Sequence, residues 1–118
     1  KYFNNLPEKI FINVIKKSSV LLGNSSMGVL EAPLVKLPVV NVGLRQKDRQ
    51  NARNILFVKC KKNTIIKAIK KSLYNKKYLK KIKRLKNPYG VYGTPEKVVK
   101  ILSKISINDK LISKKITY

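Results

Sequence analysis

The chain has 118 residues, of which 43% are hydrophobic, enough for the core of one ordinary domain and too many for a disordered chain. Its 28 lysines and arginines against five acids give a formal net charge of +23, and no segment approaches the roughly 18 apolar residues of a membrane span. One cysteine and no histidine exclude a disulfide framework and remove the commonest general base, so we expect a cytoplasmic protein without a metal.

Three short apolar runs predict a parallel sheet. They are rich in leucine and branched residues, and two of them end in glycine. The predicted strands are residues 20–23, 37–43 and 54–59. The first two, with a helix between them, form a βαβ unit, for which a right-handed crossover is expected.

Helical periodicity predicts one helix before this sheet and one inside the βαβ unit. Pro7 suits the first turn of the first helix, whereas Pro33 should shorten or kink the second, at about residues 26–35. The apolar positions on one face are Ile10, Phe11, Val14 and Ile15 in the first helix, and Val29, Leu30 and Leu34 in the second.

The rest of the chain is predicted to be helical, with Asn63 and Thr94 as helix caps and Pro95 at a first helical position. The predicted inward positions are Ile65, Ile66, Ile69 and Leu73, then Leu79, Ile82 and Leu85, then Val98, Val99 and Leu102. We expect a domain at residues 1–105 and a frayed tail at 106–118. Because three parallel strands make a small, open sheet, the domain reads as the later part of a doubly wound α/β domain.

The positive charge has two explanations. Clustered cations favour a nucleic-acid partner, because binding releases the counterions of the phosphates. All but four of the basic residues are lysines, however, in a chain also rich in Asn and Ile, as A/T-rich codons produce, and a solvated lysine face needs no partner. We favour the second explanation. Three of the four arginines, Arg45, Arg49 and Arg53, nevertheless lie within nine residues. In a chain whose usual cation is lysine, this cluster indicates a need for planar bidentate donors.

The segment GNSSMG lies after the first strand and ahead of a helix, where open α/β sheets bind ligands. A helix N-terminus, two glycines that let the backbone come close, and two hydroxyls together suit a phosphate or diphosphate. The small polar residues concerned are Asn24, Ser25, Ser26 and Gly28. Ordinary helix capping is the alternative.

Glu31 lies five residues after Ser26, about one and a half turns into the predicted helix, and the loop after the second strand would open on the same edge of the sheet as GNSSMG. A carboxylate can accept both hydroxyls of a ribose, although a solvated acid paired with a lysine is an equal alternative. Arg45 and Arg49 could pair with phosphate through charge-assisted bonds, or they could simply make the loop basic.

Taken in order, GNSSMGVLEAP, LPVVNVGLRQKDRQNARNILFV and NPYG resemble the C-terminal half of the UDP-N-acetylglucosamine 2-epimerase family. The resemblance covers about residues 2–105. Its RQ-x-x-R element is similar in particular to the hydrolysing branch that feeds sialic acid synthesis. The joint occurrence of NSS, a glutamate five residues later and RQ-x-x-R after the next strand makes the resemblance specific.

This resemblance implies a glycosyltransferase-B-type fold, in which two Rossmann-like domains hold a UDP-aminosugar in their cleft. It implies that Ser25 and Ser26 bind the diphosphate and Glu31 the ribose, while Arg45, Gln46 and Arg49 line the same site. The full set of implied UDP-binding residues is Asn24, Ser25, Ser26, Gly28, Glu31, Arg45, Gln46 and Arg49. A homo-oligomer is implied for the complete enzyme, with no cofactor besides the UDP-sugar substrate.

The family's catalytic carboxylates and histidine belong to the first domain and the start of the second, neither of which this sequence contains. The first residue is lysine rather than methionine, which also suggests a fragment or a processed chain. We therefore expect no catalytic residue in this chain and no turnover by it alone. In the complete enzyme, UDP would be eliminated and water added, releasing N-acetylmannosamine.

The sequence departs from the family pattern at a few positions. Lys36 and Asp48 stand where glycines are usual, and Met27 replaces a small residue. Val91 replaces an acid after NPYG. Two other functions stay open at this point: a non-hydrolysing 2-epimerase, which would leave the sugar on UDP, and a basic nucleic-acid-binding module.

Overall fold

A computed structural model describes residues 1–90 and 93–113. Within them, three strands form one sheet, β1 (Leu21–Gly23), β2 (Val39–Val42) and β3 (Ile55–Val58). The order is β1-β2-β3 and both pairings are parallel. The predicted α/β class, with a short parallel sheet followed by C-terminal helices, is confirmed.

The helices are α1 (Glu8–Lys17), α2 (Met27–Leu30), α3 (Lys62–Tyr74), α4 (Lys76–Lys83), α5 (Thr94–Leu102) and α6 (Asp109–Ile112). Helix α2 is shorter than predicted, and a 3₁₀ turn at Ala32–Val35 completes the connection to β2. Pro33 explains the break, because its nitrogen has no hydrogen to donate to the helix ladder. The predicted shortening is therefore confirmed.

The connection from β2 to β3, residues 43–54, contains no helix and is here called the arginine loop. It begins at Gly43, whose φ of 89° lies in the left-handed region that favours glycine. Residues 24–26, which follow β1, are called the serine loop. Since all three strands are parallel, both loops leave the same edge of the sheet.

Two predicted helix caps are wrong. Asn63 lies inside α3, and the hydroxyl of Thr64 instead donates to the carbonyls of Lys59 and Lys61. Helix α5 includes Thr94 as its first residue, with Gly93 in the cap position at a φ of 91°. Helix α3 thus starts two residues earlier than its cap pattern predicts, and α5 starts one residue earlier.

The core lies between the sheet, α1 and the α2 connection. Its buried apolar residues are Ile15, Val29, Ala32, Leu37, Val39 and Ile55. Ile82 of α4 is also buried, as predicted, but Ala68 and Ser72 are the buried residues of α3, whose predicted inward residues are half-buried or, at Ile66, exposed.

Several predicted inward faces are exposed, so that part of the prediction is wrong. On α1, Ile10 is 52% exposed and only Ile15 is buried; on α5, Val99 is 65% exposed. Phe11, Val14, Leu34, Val98 and Leu102 are exposed as well. Periodicity shows that a face suits burial, but here no part of the described chain covers it.

Residues 106–118 were expected to be a tail, and α6 forms part of that segment. Residues 114–118 and Val91 lie outside the described residues. No helix in the described part of the chain is long and apolar enough to cross a membrane.

Candidate functional site

The serine loop contains one local hydrogen bond and a serine hydroxyl that does not cap the following helix. The hydroxyl oxygen of Ser25 accepts the backbone N–H of Met27 at 3.3 Å, so the capping alternative holds in part for this residue. Ser26 occupies the cap position of α2, but its hydroxyl makes no capping hydrogen bond. Asn24 and Ser25 are exposed and Ser26 is half-buried. Because α2 has only four residues, its dipole contributes little to anion binding.

Gly28 is buried beneath the loop rather than at its surface. A Cβ at this position would lie 2.8 Å from Cγ1 of Val39, closer than real carbon contacts allow. The glycine therefore permits α2 to pack directly on β2. The glycine thus faces β2 and not the surface at which a ligand would approach the backbone.

Glu31 is exposed at the end of α2, where the α-helix gives way to the 3₁₀ turn. Its backbone N–H donates to the carbonyl of Met27 at 3.0 Å, which fixes the residue's backbone. Among the side chains that the structure describes, none forms an ion pair with its carboxylate, so the alternative of an acid paired with a lysine is not seen there. The carboxylate is accessible to a ligand.

The arginine loop presents Arg45 and Arg49 to solvent and buries Gln46, which is 2% exposed. The amide nitrogen of Gln46 donates to the carbonyl of Asn24 at 3.1 Å. This contact brings together two of the eight predicted site residues and joins the arginine loop to the serine loop. The Gln46 oxygen has no protein partner within the described residues. Gln46 therefore braces the site instead of lining its surface.

Two departures from the family pattern have different structural consequences. Lys36, at the end of the 3₁₀ turn, has a φ of 56°, which explains why glycine is usual there. Its ammonium donates to the carbonyl of Leu85. Asp48 is exposed and its φ is not positive, so its backbone does not require glycine.

Sequence reasoning missed Asn54, which lies fully buried at the end of the arginine loop. Its side-chain nitrogen donates to the carbonyls of Gly28 at 3.3 Å and Leu37 at 3.1 Å. Its backbone carbonyl accepts the hydroxyl of Tyr78 at 3.0 Å. The side-chain amide thus ties α2 to the approach to β2, and the backbone carbonyl adds α4. The only sequence signal for Asn54 is a polar residue that opens an apolar strand.

The NPYG segment also reaches the site, through Tyr89. The hydroxyl of Tyr89 donates to the carbonyl of Gln50 in the arginine loop at 2.7 Å. The same ring lines an open depression of about 330 Å³ together with Leu30 and Leu34.

The chemistry available at this edge is anion binding. Arg45 and Arg49 supply exposed guanidiniums, and the serine loop supplies hydroxyls and backbone groups. No three of the described His, Cys, Asp and Glu side chains come together as a metal site would need. Burial raises the pKa of the nearby Tyr78 to about 12, so this phenol keeps its proton near neutral pH.

Comparison with known proteins gives a consistent result. A family model described as UDP-N-acetylglucosamine 2-epimerase matches residues 1–103. A UDP-N,N'-diacetylbacillosamine 2-epimerase (hydrolyzing) of Legionella pneumophila is 35% identical over 104 residues, 88% of this chain and 26% of that protein. Polysialic acid biosynthesis protein P7 of Escherichia coli is 33% identical over 89 residues, 75% of this chain and 22% of that protein.

A GDP/UDP-N,N'-diacetylbacillosamine 2-epimerase (hydrolyzing) of Campylobacter jejuni is 39% identical over 56 residues, 48% of this chain and 15% of that protein. The chain thus spans about a quarter or less of the length of these curated relatives.

Proposed function

The chain belongs to the UDP-N-acetylglucosamine 2-epimerase family, and we propose that it is the UDP-binding C-terminal part of a hydrolysing member. Two relatives whose names include "hydrolyzing" support this branch over the non-hydrolysing one. The substrate class is a UDP-aminosugar, either UDP-N-acetylglucosamine or a diacetylated relative of it. Residues 1–105 would form the domain, incomplete on its N-terminal side.

One observation carries the proposal: the hydrogen bond from Gln46 to the Asn24 carbonyl, which holds the arginine loop against the serine loop. It places the hydroxyls of Ser25 and Ser26 on the loop joined to the one that carries Arg45 and Arg49. We assign those four residues to the diphosphate. Gln46, being buried, acts as a brace, and Gly28 acts through the packing of α2.

Glu31 is assigned to the ribose hydroxyls. Its carboxylate is exposed and makes no ion pair within the described part of the chain, so both oxygens can accept. A glutamate that holds ribose adds specificity for a nucleotide over a free diphosphate, because inorganic diphosphate has no vicinal hydroxyls to offer.

In the complete enzyme these residues would stabilise the departing UDP. Elimination of UDP from the aminosugar moves negative charge onto the diphosphate, and each well-placed donor there is worth a few kcal/mol in comparable sites. Water addition with inversion at C2 then needs an acid and a base, which we assign to a part of the enzyme outside this chain.

That remaining part is the proposed partner of the exposed apolar faces. Ile10 and Val14 on α1 and Val99 on α5 are all about half exposed or more, and the described chain pairs β1 on one side only. A doubly wound sheet would be completed if the remaining part covered these faces and added a strand beside the unpaired side of β1. A homo-oligomer of the complete enzyme stays a prediction.

The proposal is tested by titrating the 118-residue chain with UDP in a calorimeter. The double variant Ser25→Ala, Ser26→Ala and the single variant Glu31→Gln should each weaken UDP binding at least tenfold, about 1.4 kcal/mol. The double variant Ser19→Ala, Ser106→Ala, at two exposed serines outside the site, is the matched control and should bind as the wild type does.

Two results would contradict the proposal. If the wild-type chain binds no UDP, it has no UDP site. If the Ser25→Ala, Ser26→Ala variant binds UDP as tightly as the wild type does, the site does not lie at the serine loop. If the chain instead binds duplex DNA with a steep salt dependence that survives this double substitution, its charge serves a nucleic-acid partner. Release of free UDP by the complete enzyme would distinguish the hydrolysing from the non-hydrolysing reaction.

A further inference from the structure

The arginine loop lacks regular secondary structure, so its conformation depends on individual hydrogen bonds. Inside the loop, the N–H of Arg49 donates to the Gln46 carbonyl at 3.3 Å, and the side chain of Asn51 donates to the Arg49 carbonyl at 3.2 Å. Both bonds are local and the one from Asn51 is solvent-exposed, and local bonds alone leave a loop free to open. The brace at Gln46 holds only the first half of the loop.

The second half is held at its end by the buried Asn54 and, nearer to Arg49, from outside by Tyr89. Its hydroxyl donates to the carbonyl of Gln50, the residue directly after Arg49, at 2.7 Å. The two residues are 39 positions apart in sequence, so this contact fixes the loop to another part of the fold. Arg49 therefore lies between two anchors, Gln46 on one side and Gln50 on the other.

The turn that carries Tyr89 has hydrogen bonds of its own. Asn87 organises the turn that presents Tyr89: its side-chain oxygen accepts the N–H of Tyr89 at 3.1 Å and its carbonyl accepts that of Gly90 at 3.2 Å. Just before this turn, Lys36 donates to the carbonyl of Leu85. Because these bonds order the turn, Tyr89 can hold the arginine loop in place.

We propose that Tyr89 is a positioning residue, whose hydroxyl holds the Gln50 carbonyl so that the backbone carrying Arg49 is already in place when a nucleoside diphosphate binds. The inference rests on the proposed function for the identity of the ligand. Fixing a loop in its bound conformation strengthens binding by removing the entropy cost of ordering it. The effect falls on the diphosphate, because Arg49 is the residue held, and not on the nucleoside.

Tyr89→Phe tests this with the least disturbance, since it removes the hydroxyl and keeps the ring. Tyr74→Phe is the matched control, because Tyr74 is 74% exposed and is the last residue of α3. Hydrogen exchange of the 118-residue chain without ligand should accelerate at residues 47–53 in Tyr89→Phe and stay at the wild-type rate in Tyr74→Phe.

Calorimetry then separates the diphosphate from the nucleoside. Tyr89→Phe should weaken UDP binding about five- to tenfold and leave uridine binding unchanged. In an Arg49→Gln background the same substitution should have no further effect on UDP, since the residue it positions is gone. A purely structural role would instead weaken UDP and uridine alike and lower the melting temperature.

Unchanged exchange at residues 47–53 would overturn the inference, and so would equal losses of UDP and uridine binding. Wild-type chain that binds no UDP would be a failure of the proposed function. In that case the exchange rates of the two tyrosine variants alone decide whether Tyr89 holds the arginine loop.

Discussion

The side-chain nitrogen of Gln46 lies 3.1 Å from the carbonyl oxygen of Asn24 and joins the loops that follow two adjacent parallel strands. Gln46 is buried, with 2% of its surface exposed, although the residues on either side of it, Arg45 and Lys47, are exposed. Removing a buried amide that bridges two loops lowers the free energy of unfolding, because the hydrogen bond is lost and a cavity is left.

Gln46→Ala should therefore lower the free energy of unfolding by about 1–3 kcal/mol. Gln50→Ala is the matched control, because this glutamine is exposed in the same loop, and its cost should stay within about 0.5 kcal/mol. Urea unfolding followed by circular dichroism measures both. Equal costs for the two variants would show that Gln46 is not a brace.

The close packing of α2 on β2 gives a second prediction. Gly28→Ala introduces a Cβ 2.8 Å from Cγ1 of Val39 and should destabilise the chain by about 1–3 kcal/mol. Shortening the partner should relieve the clash, so that Val39→Ala costs less in the Gly28→Ala background than in the wild type. A double-mutant cycle by urea unfolding measures this coupling, and strictly additive costs would rule the contact out.

The parallel sheet and the shortened α2 could be predicted from sequence because they follow from local chemistry. Branched runs ended by glycine indicate strands, and a proline beyond the first turn of an α-helix, as Pro33 is for α2, interrupts that helix. The exposed face of α1 could not be predicted, since the pattern at Ile10 and Val14 shows apolarity but not which element covers it.

Within the site, the sequence indicated Ser25 and Arg49 through residue type but could not show which residues act as braces. Gln46 and Asn54 are polar residues whose partners are backbone carbonyls distant in sequence. Any residue offers a carbonyl, so no sequence pattern marks such a partner. Their role becomes visible only once the strands are in register.

Lys36 gives a third prediction, because it takes a left-handed φ of 56° where a side chain is strained. Replacing it by alanine keeps the strain and removes the bond to Leu85, whereas glycine removes both. The Lys36→Gly variant should therefore be more stable than Lys36→Ala by about 1 kcal/mol. Thermal and urea unfolding of the two variants compare them directly. An alanine variant as stable as the glycine variant would show that this backbone is not strained.

The phenol of Tyr78 gives the last prediction, which concerns alkaline pH. Burial raises its pKa in the folded chain to about 12, above a value of about 10 in the unfolded chain. A raised folded-state pKa means that the stability contributed by the group is complete below about pH 10 and is lost as pH rises towards about 12.

Wild type should accordingly be more stable than Tyr78→Phe at about pH 8, where the hydroxyl donates to the Asn54 carbonyl at 3.0 Å, by about 1 kcal/mol. The difference should shrink between about pH 10 and pH 12, because the unfolded phenol loses its proton first. Lysine titration affects both proteins alike and cancels in this difference. Guanidinium unfolding at several pH values measures it, and a difference that stayed constant up to about pH 12 would mean that Tyr78 is not buried as described.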